Sequence, residues 1–146
     1  MDFDPSLSLW GLFLSALISS TLLPGGSEVV LAALVHGGGH APLTLLVVAA
    51  AGNTLGGMSS WALGRLVAWR YPARRLAGGG HERALARIRR WGSPALVLSW
   101  LPVVGDPLCL AAGWLRIRWW QALVWIGLGK TARYAAIIWL FAPTPP

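Results

Sequence analysis

Charge is scarce in this 146-residue chain: 12% of its residues are charged, against about a quarter in soluble domains, and only five are acids. With 55% hydrophobic residues and a mean hydropathy of +0.59, the composition excludes a water-soluble enzyme and points to lipid as the solvent. A single cysteine, Cys109, rules out a disulfide framework or a Cys-based zinc cluster within one chain. His36, His40 and His81 have no metal-ligand spacing with carboxylates, so neither a metal nor a cofactor is expected. No basic n-region precedes the first apolar stretch, only Asp2 and Asp4, and a signal peptide is therefore not expected. What abounds instead is tryptophan, ten residues, and glycine, eighteen. Indoles anchor at the headgroup level of a bilayer, and glycines let transmembrane helices approach closely.

A net charge of +7 would fit nucleic acid if it were spread over a solvated face. It is not spread. Eight of the twelve basic residues fall between Arg65 and Arg90, beside the single acid Glu82, and the remainder of the chain sums to zero. A basic block between two apolar halves is the mark of a short cytoplasmic loop, so nucleic acid is not an expected partner and anionic lipid headgroups are.

The halves are laid out alike. Repeat one, 9–64, opens with an apolar stretch broken by Pro24-Gly25-Gly26 and continues into an uncharged run, 43–64, behind Pro42. That run is the clearest transmembrane candidate. Its Gly52, Gly56, Ser60 and Gly64 recur every fourth residue and place small side chains on one face. Residues 65–92 form an Arg-rich and Gly-rich loop followed by a short interfacial helix, His81–Trp91, with Leu85 and Ile88 on one face. Repeat two, 93–141, begins with an apolar segment broken at Pro102 and at Gly105-Asp106-Pro107, and ends in a span over 119–141 that carries Lys130 and Arg133.

Superposing the halves aligns Pro24-x-x-x-Glu28 with Pro102-x-x-x-Asp106, and Gly52-Asn53-Thr54 with Gly129-Lys130-Thr131. Paired interrupted segments in corresponding positions point to a binding site near the bilayer midplane in transporters. Charge then chooses between a kinked full span and a re-entrant hairpin for each broken segment. If both are re-entrant, the basic loop and Arg116 with Arg118 share one side, the cytoplasm, and the two halves are inverted. If both cross fully, these basic groups fall on opposite sides. The expected fold is thus an all-α integral membrane protein, a single domain built as an inverted repeat of re-entrant hairpin plus transmembrane helix. Two true crossings make a thin wall around a polar cavity, which favours a homodimer.

The run Gly52-Asn-Thr-Leu-Gly-Gly-Met-Ser-Ser-Trp-Ala-Leu-Gly-Arg65 resembles the G-x-x-L-G-D-x-x-x-Y-x-x-G-R signature of the DedA family, also called the SNARE-associated or VTT-domain family. Leu101-Pro-Val-Val-Gly-Asp-Pro-Leu-Cys-Leu-Ala-Ala-Gly113 looks like the small YqaA branch of that family almost residue for residue. The resemblance covers most of the chain and implies a bacterial inner-membrane protein with two facing re-entrant hairpins, in a family linked to lipid-carrier flipping or scrambling and to proton-dependent transport. The chain departs from the pattern where the family's acid falls at Gly57, its Tyr at Trp61 and its two arginines at Ser99 and Gly105. The resemblance therefore carries no arginine phosphate ligands onto those positions.

Six residues are the candidates for substrate or proton binding. Glu28 and Asp106 follow helix breaks inside apolar segments, where a carboxylate is costly unless it faces a polar cavity. The competing readings are an acid capping the helix at Val29 for Glu28 and a turn residue for Asp106. Lys130 and Arg133, one helical turn apart, are suited to neutralise those acids in a buried network, or to form a fixed ion pair without transport. Asn53 lies mid-span opposite Lys130 in the repeat. Arg65 closes its span as a ligand or a snorkelling anchor. Ser27-Glu28 behind two glycines faintly suggests an intramembrane hydrolase, but no positioned base accompanies it and no enzyme is expected. The expected function is movement of a solute or lipid headgroup coupled to protonation of Glu28 or Asp106. The alternative is a membrane scaffold or assembly factor whose buried charges only hold the hairpins together.

Overall fold

The computed structural model describes residues 5–20, 25–71, 90–101 and 104–141, and within them the chain is helical with no strand. In order come α1 (Pro5–Ser19), α2 (Gly26–Gly37), α3 (Pro42–Arg70), a 3₁₀ helix (Ser93–Trp100), α4 (Gly105–Trp114) and α5 (Trp119–Phe141). Pro24, Pro102, the basic loop 72–89 and most of the expected interfacial helix lie outside the described residues.

Length separates these elements into two kinds. At 1.5 Å per residue, α3 reaches about 43 Å and α5 about 34 Å, enough for the roughly 30 Å hydrocarbon core. The 15 residues of α1 and the 12 of α2 reach only about 22 and 18 Å. Among the described helices α3 alone is both long and apolar enough to cross; α5 has the length, but Lys130 and Arg133 dilute its apolarity.

One sequence expectation needs correction. The loop was expected to open at Arg65, yet α3 continues to Arg70, because Leu66-Val-Ala-Trp69 holds nothing that breaks a helix. The second apolar segment is interrupted between Trp100 and Gly105, and Gly105-Asp106-Pro107 closes the interruption as the first turn of α4. Proline is tolerated there because a first-turn N–H has no intrahelical acceptor to lose. Likewise Gly25, at φ 106°, precedes α2, and Gly26 begins it.

The described residues fall into two compact units, divided within the long helices at 56/57 and 129/130. Unit 1 is Met1–Gly56 with Lys130–Pro146. In it α1 and α2 pack on one another, and Ser8 Oγ meets His40 Nε2 at 2.6 Å. Leu12, Leu31, Leu45, Ala49, Tyr134 and Ile138 form its core. Gly52 and Gly56 lie against α1 so closely that a Cβ would strike Phe13 O at the first and Leu17 O and Ser20 at the second.

Unit 2 is Gly57–Gly129, with a core of Leu96, Leu108, Cys109, Ala112, Ala122 and Ile126. The 3₁₀ helix packs on α4. Gly64 and Gly113 face each other's helices: a Cβ on the first would strike Leu110 O, and on the second Trp61 O. The small-residue stripe of α3 thus meets α1 in unit 1 and α4 in unit 2. Trp61 Nε1 donates to Ile117 O at 3.2 Å, and Trp114 Nε1 to Tyr71 O at 3.0 Å, tying the end of α3 to the corner before α5.

That corner is a Schellman turn: Ile117 N donates to Ala112 O and Arg116 N to Gly113 O, both at 3.0 Å. The left-handed position such a turn requires usually falls to glycine. Here it is Arg116, at φ 59°, and left-handed backbone costs a residue with a Cβ roughly 1–2 kcal/mol.

Candidate functional site

The candidate site is a polar cluster in the core of unit 1, assembled from α2, α3, α5 and the residue after α1. On α5, Lys130, Arg133 and Tyr134 project together because residues three and four apart share a face. Lys130 is 3% exposed, and its ammonium donates to Ser20 Oγ at 2.5 Å, to the Asn53 carbonyl at 3.0 Å and to Asn53 Oδ1. An ammonium only donates, so Asn53 must turn its oxygen to Lys130 and its Nδ2 away. Nδ2 then donates to Tyr134 Oη at 2.5 Å, and Ser27 Oγ lies 2.8 Å from the same hydroxyl, free to accept its proton. The result is a directed chain from Lys130 through Asn53 and Tyr134 to Ser27.

Beside Ser27, Glu28 forms an ion pair with Arg133. This pair is less covered than the chain next to it: the Arg133 side chain is 18% exposed and that of Glu28 32%. Glu28 occupies the first turn of α2, where the helix dipole also favours its charge. No side chain caps that helix; Gly25 stands at its N-cap.

Four of the six expected residues are therefore brought together, paired as Glu28 with Arg133 and Asn53 with Lys130. The other two belong to unit 2. Asp106 sits in the first turn of α4, as Glu28 sits in the first turn of α2. Arg65 lies within α3 with its guanidinium 5.6 Å from the centre of the Trp61 ring. Sequence reasoning missed Tyr134, Ser20 and the bonding role of Ser27. Spacing offered a signal for Tyr134, four residues after Lys130, but a tyrosine in an apolar helix reads as packing.

The surface is the inverse of this interior. Trp139 is 83% exposed and Trp69 79%, with Leu43, Val29 and Leu140 nearly as open, whereas Lys130 is enclosed. A helical chain that turns tryptophan and leucine outward and buries an ammonium group is an integral membrane protein. The VTT domain family model matches residues 23–142, and the chain belongs to that family. It is 46% identical over 132 residues to "Inner membrane protein YqaA" of Escherichia coli strain K12 and, equally, of Shigella flexneri, covering 90% of this chain and 89% of each relative. An uncharacterized protein of Haemophilus influenzae is 38% identical over 154 residues, covering 97% of this chain and 92% of its own length. No solved structure matches. The bacterial inner membrane is accordingly where this chain resides.

Proposed function

We propose that the chain moves a small solute or a lipid headgroup across or within the inner membrane, with protonation of Glu28 as the coupling event and Asp106 as its counterpart in the second half. The observation that carries this reading is the Glu28–Arg133 pair, only partly covered and standing beside the enclosed Lys130 chain at the middle of α5. Ionisable groups at such depth in a membrane helix are expensive and mark solute or proton pathways. An ion pair that keeps access to its surroundings can open when the carboxylate takes a proton, freeing Arg133 for an anionic group. Lys130 and Tyr134 then hold the wall of the site in place.

The architecture that goes with it is an inverted repeat of two re-entrant hairpins, α1–α2 and the 3₁₀ helix–α4, each followed by a long helix. Three features support it: helices too short to cross, packing of each short pair on itself, and acids in matching first turns. The basic segment 65–90 and Arg116–Arg118 then lie on the cytoplasmic side.

One observation favours the scaffold reading instead: every member of the Lys130–Asn53–Tyr134–Ser27 chain has a partner, as in a network built to lock helices. Reconstitution separates the two. In proteoliposomes carrying a fluorescent phosphatidylglycerol and an internal pH dye, the wild type should translocate lipid or protons with a pH dependence that Glu28→Gln abolishes while the protein stays inserted. Absence of both activities in the wild type, or full pH-dependent activity in Glu28→Gln, overturns the proton-coupled reading.

A further inference from the structure

Unit 2 carries a second polar feature, on its surface. A groove of about 470 Å³ is lined by Ala62, Arg65, Leu66 and Trp69 of α3 and by Arg116 of the α4–α5 corner. The α3 residues follow an i, i+3, i+4, i+7 pattern, so they form one stripe along the helix. All five side chains are exposed. We propose that this groove binds one anionic phospholipid, its phosphate between the Arg65 and Arg116 guanidiniums and its first acyl segment along Leu66, Ala62 and Trp69.

The Arg65 side chain and the Arg116 backbone are both held in place. Arg65 lies over the Trp61 ring, and that indole is itself fixed by its bond to Ile117 O, the residue after Arg116. The close contact of Gly64 and Gly113 brings the two backbones together at this point. Arg116 occupies the left-handed position of a Schellman turn, where glycine would be more stable. A strained residue that packing does not require is evidence of a use for its side chain.

Two guanidiniums in one groove match a phosphate with charge-assisted, bidentate hydrogen bonds. The apolar rest of the lining selects a lipid over a free anion. Exposed Trp69, Trp119 and Trp120, with Arg118, flank this end of the helices, the combination that marks headgroup depth. An anionic headgroup seated here would also neutralise the repulsion of two like charges sharing one cleft.

Thermal unfolding and native mass spectrometry of the purified full chain in a neutral detergent test the proposal, with phosphatidylglycerol, phosphatidylcholine and inorganic phosphate as separate probes. Phosphatidylglycerol should raise Tm and stay bound as a 1:1 adduct; the other two should do neither. Arg65→Gln and Arg116→Gly should each weaken phosphatidylglycerol binding about fivefold, the value of one basic residue near an anionic surface. Arg116→Gly should meanwhile raise the lipid-free Tm by relieving the turn, so loss of binding with gain of stability separates a ligand from a structural residue. Arg70→Gln, which removes an equal charge outside the groove, should keep wild-type affinity. Equal loss in Arg70→Gln, wild-type affinity in either groove variant, or stabilisation by inorganic phosphate to the same extent overturns the assignment. Binding is read without any flux, so its outcome is independent of the transport proposal.

Discussion

At the residue scale, the buried polar chain makes its members unequal. Tyr134 Oη is the joint between Asn53 and Ser27, and Tyr134→Phe removes it without changing the shape of the ring. A buried Nδ2 and a buried hydroxyl then lose their partner, which costs about 1–3 kcal/mol and should appear as a lower Tm in detergent. Lys130→Met leaves Asn53 Oδ1 and Ser20 Oγ without their donor and should cost a similar amount or more. For Glu28 and Arg133, a double-mutant cycle with Glu28→Gln and Arg133→Met should show the double variant more stable than the summed losses require, by about 1–2 kcal/mol, less than in a fully enclosed pair because this one is only partly covered. Strictly additive losses would show that the pair does not couple. The charged members of this cluster were legible in the sequence because an acid or a base inside an apolar run is conspicuous. Which acid meets which base was not, because Glu28 and Arg133 are separated by more than a hundred residues and only tertiary packing joins them.

At the element scale, glycines decide where helices touch. Gly64→Ala and Gly113→Ala should destabilise the chain severely, since each Cβ would run into a backbone carbonyl that no rotamer change can move. Gly11→Ala should do the opposite: it lies within α1 with open space around the new Cβ, and replacing a mid-helix glycine gains up to about 1 kcal/mol. Tm values of the three variants in one detergent check both signs. The stripe Gly52-Gly56-Gly64 was readable from its four-residue spacing, and so was a break near Pro24. The partners of the stripe were not, because spacing shows that a backbone can approach but not which one. The second break was readable too: it falls between Trp100 and Gly105, and Gly-Asp-Pro opens the helix after it because proline is tolerated in a first turn. The extension of α3 to Arg70 was missed because a cluster of arginine was read as loop, although arginine is a good helix former.

At the scale of the whole molecule, the described basic residues other than Lys130 and Arg133 all belong to unit 2. Arg65 and Arg70 ride on the end of α3, and Arg116 and Arg118 precede α5, both in unit 2, whereas the turn after α2 at Gly38 and Gly39 belongs to unit 1 and has no Lys or Arg near it. The all-helical class and the membrane setting were legible in composition; whether each short pair crosses or returns was not, because hydropathy is equal for both. Sidedness settles it. In a Cys109→Ala background, which removes the one native thiol, buried in the core of unit 2, Arg70→Cys should react with a membrane-impermeant maleimide only in inside-out vesicles. Gly39→Cys should react only in right-side-out vesicles, its position being exposed with open space around a new Cβ. That pattern alone leaves α3 as a crossing. The two models for the short pairs are then separated by Leu7→Cys, at the exposed start of α1. A re-entrant α1–α2 pair returns to the side it left, so Leu7→Cys must label with Gly39→Cys; a pair that crosses once puts Leu7→Cys with Arg70→Cys, and that result would exclude the hairpin.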